Sequence, residues 1–173
     1  MTQKSRLGRE DHVSRLIAQR RLETPDVSLD GMEILARARR LTLLSRPGIE
    51  AVFKKHGIDT GEFDVLASLQ RAGAPYRLRP TELFEALMIS SGGLTNRLNR
   101  LEKRGLIARE ASATDGRSML VALTAKGRAL ITKAFAEDMA VERTMLNALS
   151  ADERETLANL LAKLLRTLET DGA

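Results

Sequence analysis

A chain of 173 residues is long enough for one domain with a sizeable core, or for one domain with appended dimerisation helices. Its net charge of +5 favours a polyanionic partner, and 43% hydrophobic residues with only 3% aromatic and no Trp suit a core of Leu, Ala, Val and Ile on helices. The lack of Cys excludes disulfides, Cys-zinc sites and thiol redox sensing. No apolar run reaches the roughly 18 residues of a membrane span. The start, MTQKSRLGREDH, lacks the apolar segment of a secretory signal, so a cytoplasmic location is expected.

Taken in chain order, residues 1–8 read as a disordered tail. A short helix is expected from Arg9 to Leu22, with Val13, Leu16 and Ile17 at helical spacing and Arg20 where a further apolar residue belongs. Thr24-Pro25-Asp26 breaks it, because Pro25 disfavours the α region at Thr24. A longer helix from Leu29 to Ser45 is expected to bury Ile34, Leu35, Ala38, Leu41 and Leu44. Pro47-Gly48 is expected to interrupt it before a last turn or two to His56-Gly57. Residues 9–56 therefore read as an extra N-terminal helix plus a dimerisation helix.

Residues 57–127 carry a different pattern. Asp59 and Glu62 have capping-box spacing for a helix from Gly61 to Arg71, whose apolar residues are Phe63, Val65, Leu66 and Leu69. Gly73-Ala74-Pro75 ends it, and Tyr76–Arg79 can form a short strand. A Thr81–Leu87 helix and a Met88-Ile89-Ser90 turn lead into a helix that begins at Ser90-Ser91-Gly92-Gly93 and runs through LTNRLNRLEKRGLI. Two strands joined by a charged tip follow. This is the order of a winged helix-turn-helix, which places one helix in a major groove and a hairpin beside the adjacent minor groove. Residues 128–173 read as C-terminal dimerisation helices. Thr124 caps a helix to about Leu149, with Leu130, Ile131, Ala134, Phe135, Met145 and Leu146 inward. Ser150 and Glu153 form a capping box before the stripe Leu157, Leu160, Leu161, Leu164, Leu165 and Leu168.

At about 100° per residue, Leu94, Leu98 and Leu101 share one narrow arc. Opposite them lie Gly92, Asn96, Asn99 and Lys103, with Thr95 and Arg100 on the flanks. Amide and guanidinium groups are the side chains that hydrogen-bond base edges. Ser90 and Ser91 are expected to cap the helix, whose free amides can hold a phosphate. Arg117 sits at the hairpin tip after Asp115-Gly116, where an Arg can enter a narrow minor groove. Arg97 differs: it falls about 60° from the centre of the apolar arc. A half-buried guanidinium needs an anionic partner, either Asp64 or a bound ligand.

With these residues the chain closely resembles the MarR family of ligand-responsive transcriptional regulators. The matching pieces are Gly61-Glu62-Phe63-Asp64-Val65-Leu66, Pro80-Thr81-Glu82-Leu83, SSGGLTNRLNRLEKRGLI, Asp115-x-Arg117 and Leu123-Thr124-x-x-Gly127. The resemblance implies a mainly α homodimer with a winged helix-turn-helix, a small β wing, and N- and C-terminal dimerisation helices. It further implies double-stranded DNA with a pseudo-palindromic operator as partner, and repression relieved by a small anionic or aromatic ligand. The chain also resembles the urate-responsive subclass, which carries an extra N-terminal helix. By that likeness Asp64, Arg97 and Arg109 are effector residues, and Arg20 stands near the place of that subclass's Trp, which this chain lacks.

An enzyme is not expected, since no nucleophile elbow, Walker loop or dinucleotide-type glycine loop occurs. His12 and His56 stand apart from any ligand-like cluster, so neither a metal nor a cofactor is expected. A ligand-independent or architectural DNA-binding protein is the alternative function.

Overall fold

The computed structural model describes residues 10–87, 93–111 and 119–171. Its contacts form two units, one up to Pro47 and one from Gly48 onward. In the first unit, helix α1 spans His12–Glu23 and helix α2, Asp30–Lys55, begins. Asp11 caps α1 by accepting from the Ser14 amide at 2.7 Å. The same carboxylate accepts from Arg37 Nε at 2.8 Å, and Arg37 also donates to Ser14 Oγ and to the Glu33 carbonyl. Arg37 first, then the Ser14 amide, lowers the Asp11 pKa to about 2. Val13 and Ile17 are buried, while Leu16 is exposed, so the stripe is narrower than expected.

Helix α2 corrects two expectations. It runs unbroken through Pro47 instead of stopping there. An internal proline removes one hydrogen bond and costs about 3 kcal/mol. Burial of Val52 and Phe53 in the turns beyond it offsets that cost. The supposed inner residues Ile34, Leu35, Ala38, Leu41 and Leu44 are exposed in the single chain.

The second unit contains α3 (Thr60–Arg71), β1 (Arg77–Leu78), α4 (Pro80–Ala86), α5 (Leu94–Lys103), β2 (Ile107–Ala111), β3 (Met119–Leu123), α6 (Ala125–Met145) and α7 (Ala151–Asp171). Asp59 and Glu62 form the expected capping box of α3. The antiparallel sheet has the order β1-β3-β2, with Arg77 opposite Ala122 and Arg109 opposite Val121. The core gathers Phe53, Val65, Leu66, Leu69, Leu83, Leu98, Leu101, Leu106, Ile107, Val121 and Ile131. Strand β1 thus closes the wing sheet as its sequence predicts.

Thr124 caps α6 and also reaches back, its hydroxyl donating to the Gly105 carbonyl at 2.8 Å. Gly127 lets this start lie flat on the α5–β2 exit, since a Cβ there would stand 2.0 Å from the Leu106 carbonyl oxygen. Helix α6 ends at Met145, short of Leu149, because the following amides of Leu146, Asn147 and Leu149 bond three residues back in tight turns. Ile131 and Ala134 are fully buried, but Phe135, Met145 and Leu146 are exposed rather than inward. The Ser150–Glu153 capping box forms with bonds of 2.8 and 3.2 Å. No described side chain of α7 is buried, and Leu157 to Leu168 of its stripe are 39% to 64% exposed.

Candidate nucleic-acid interface

Helix α5 is seated by Leu98 and Leu101, with Leu94 half-buried. Its last turn is closed by amides of Gly105 and Leu106, which donate to the carbonyls of Glu102 and Leu101 and send Leu106 and Ile107 into the core. Anchoring on one side leaves Thr95, Asn96, Asn99, Arg100 and Lys103 exposed on the others. The start differs from the sequence reading. The helix begins at Leu94 and its N-cap is Gly93, whose φ of 76° is a left-handed value that a glycine adopts without strain. Ser90, Ser91 and Gly92, as well as Asp115 and Arg117, lie outside the described residues.

The outer surfaces of α4 and α5 border a cleft of about 530 Å³ lined by Pro80, Thr81, Phe84, Glu85, Thr95 and Asn96. Three arginines around α5 have partners that the sequence alone did not reveal. Arg100 donates through Nε to Glu62 Oε1 at 2.9 Å and through Nη2 to Asp59 Oδ2. Arg104 Nη1 lies 3.5 Å from Glu62 Oε2. Glu62 is only 5% exposed, so its carboxylate needs these cations and the Asp59 amide to offset desolvation. Arg100 is thereby a clamp between α3 and α5 as well as a half-exposed cation on the flank of the polar face.

The third is Arg109 on β2. Its Nη1 donates to Glu102 Oε2 and its Nη2 to Asn99 Oδ1, each at 2.7 Å. The wing strand is therefore tied to the flank of α5. Of the four effector candidates, Asp64 is buried on α3 and Arg97 is half-buried on α5. The Arg97 guanidinium rests against Gly61, where a Cβ would stand 2.2 Å from Nε. This brings Arg97 to α3, one turn from Asp64. Arg109 turns instead toward Asn99 and Glu102. Arg20 is exposed on α1 and lines a cleft with Leu16, Gln19, Glu23 and Met32.

The capping spacing of Asp59 and Glu62 was legible. Their second role, holding residues 38 to 42 positions away, had no local signal. Among the described residues no cluster of three His, Asp or Glu side chains could hold a metal. No helix among them is long and apolar enough to cross a membrane.

Residues 56–118 match the model of the MarR family. The chain is 36% identical over 162 residues to the HTH-type transcriptional regulator PecS of Dickeya dadantii, covering 94% of this chain and 98% of that protein. Sco3205, a MarR family transcriptional regulator from Streptomyces coelicolor solved in complex with DNA, shares the fold with a TM-score of 0.71 at 19% identity, over 82% of this chain and 89% of that one. Bordetella bronchiseptica BpsR, whose DNA binding is regulated by 6-hydroxynicotinic acid, shares it with a TM-score of 0.66 at 23% identity, over 76% and 91%.

Proposed function

This chain belongs to the MarR family of transcriptional regulators, and on that premise we propose that it is a homodimeric repressor of a pseudo-palindromic operator, released by a small anionic or aromatic ligand. It is a DNA-binding regulator and not an enzyme. The observation that carries the proposal is the two-sided character of α5. Leu98 and Leu101 fix one side, while Thr95, Asn96, Asn99 and Lys103 stand exposed on the others. Ser90, Ser91, Gly92 and Arg100 are assigned to the same interface, with Arg117 at the adjacent minor groove.

Two such helices about 34 Å apart would enter successive major grooves. The uncovered leucines along α7 and, separately, the uncovered apolar residues of α2 support pairing with a second copy, since a helix face with so many exposed large apolar side chains is unusual on a monomer. For release, an anion competing for Arg97 and Arg109 would bind better to a state in which α5 has shifted. That differential affinity lowers DNA binding. Arg97 against Gly61, one turn from Asp64, supports this placement. Arg20 is assigned to effector binding by its position on the N-terminal helix.

Competition binding tests the operator reading. A selected palindrome should be preferred over random duplex by about 10³ or more. Little preference would favour an architectural role. Titration with urate, related purines and 6-hydroxynicotinic acid tests release. An active effector should act less on Arg97→Ala, and an undiminished response would remove Arg97 from the mechanism.

A further inference from the structure

The geometry points to Arg109 as a positioning residue that fixes which edge of the Asn99 carboxamide meets DNA, so that Asn99 reads hydrogen-bond acceptors, guanine above all. This rests on the DNA-reading role of α5 proposed above. A guanidinium carries five N–H donors and no acceptor, so the Asn99 atom facing Arg109 must be the carbonyl oxygen. The 2.7 Å contact from Nη2 has that form. Turning the amide over would set its NH2 group against a cation.

Arg109 is itself held. Its Nη1 donates to Glu102 Oε2 at 2.7 Å, a charge-assisted bond. Glu102 stands three residues beyond Asn99, so one planar fork grips two neighbours on the same flank of α5. Asn99 remains exposed, and its Nδ2 keeps two donors for the groove.

An unconstrained Asn pairs with adenine by donating to N7 and accepting from the N6 amino group. Here an adenine amino group approaching the same oxygen would meet a guanidinium whose N–H dipoles already point there. Guanine presents N7 and O6, two acceptors and no donor, to the remaining NH2 group. Polarisation of the carbonyl by the cation also strengthens the amide as a donor.

The test is selection of duplexes from a random pool by the full chain and three variants. Wild type should select guanine over adenine by about tenfold at one position in each half-site. Asn99→Ala should lose the preference at that position alone. Arg109→Lys conserves the charge but lacks the two-pronged fork, and should select adenine as well as guanine there. Asn99→Asp still accepts from Arg109 yet has no donor, so it should lose guanine for cytosine, whose N4 donates. It decides the matter if Arg109→Lys does not fold. Retention of wild-type guanine preference by either the Lys or the Asp variant would overturn the inference while leaving the regulator reading intact. Failure of wild type to select any shared half-site would overturn that reading and this inference with it.

Discussion

Helices α5 and α7 each carry a leucine stripe at helical spacing, and their fates differ. Leu98 and Leu101 are 4% and 0% exposed, whereas Leu160 and Leu164 are 56% and 44% exposed. The first stripe is covered by α3, β2 and their neighbours within the chain, so α5 is positioned by the chain's own core. The second lacks such cover among the described residues, and in the proposed dimer a second copy would supply it. Periodicity reports that a face is apolar; what covers it depends on the supply of other surfaces.

Charging the uncovered stripe of α7 should have the largest effect. Leu160→Glu with Leu164→Glu should yield a monomer by sedimentation and lower operator affinity by about 10³-fold or more, because a single reading head loses the second half-site. A variant that stays dimeric would show that α7 is not the pairing surface. A matched pair of truncations separates the two stripes. Leu101→Ala leaves a cavity in the chain's own core and should cost about 2–5 kcal/mol in urea unfolding at any protein concentration. Leu165→Ala should cost less, and its cost should depend on concentration. Equal, concentration-independent losses would contradict the distinction.

The same contrast recurs among buried acids. Glu62 has Arg100 and Arg104 beside it, while Asp138 on α6 has an Oδ1 with no hydrogen-bond partner among the described residues. Burial, then nearby Glu142, pushes the Asp138 carboxyl up to about 6. Unfolded, it returns to about 3.9. Between those values the folded chain binds more protons, so stability falls as pH rises through that window. Asp138→Asn should therefore stabilise the chain at pH 7 by up to about 3 kcal/mol, with the gain vanishing below about pH 4. An equal gain at both pH values would refute the burial account. The smallest effect belongs to exposed Asp11, whose pKa near 2 reflects Arg37. Its stabilising charge is present above about pH 4 and lost as pH falls toward 2. Asp11→Asn should lower stability slightly at neutral pH and flatten the acid limb of the unfolding profile, the difference from wild type shrinking as pH falls toward 2; a difference that persists undiminished at pH 2 would contradict it.

Sequence spacing showed what local chemistry determines. The capping box of Asp59 and Glu62, the Thr124 cap and the Ser150–Glu153 box all stand where their patterns place them. Pro47 misled because one missing amide is a finite cost that burial of Phe53 can offset. The described start of α5 has Gly93 as its N-cap with no side-chain bond, and the expected caps Ser90 and Ser91 lie outside the described residues. The partners of Arg100 and Arg109 were illegible, since donor and acceptor meet only once α3, α5 and β2 are packed. The roles given to Arg117, Ser90 and Ser91 rest on their place in the sequence pattern.

In the proposed complex the exposed side of α5 rests on bases, and a paired molecule presents two such helices. Because the chain has no native cysteine, a single Asn96→Cys variant can carry a photo-crosslinker at that surface. On a selected palindrome the account predicts base cross-links at two places about one helical turn apart, on one face of the duplex. Cross-links at one place only, or none from residue 96 while the same probe at Leu165→Cys reacts with DNA, would contradict it.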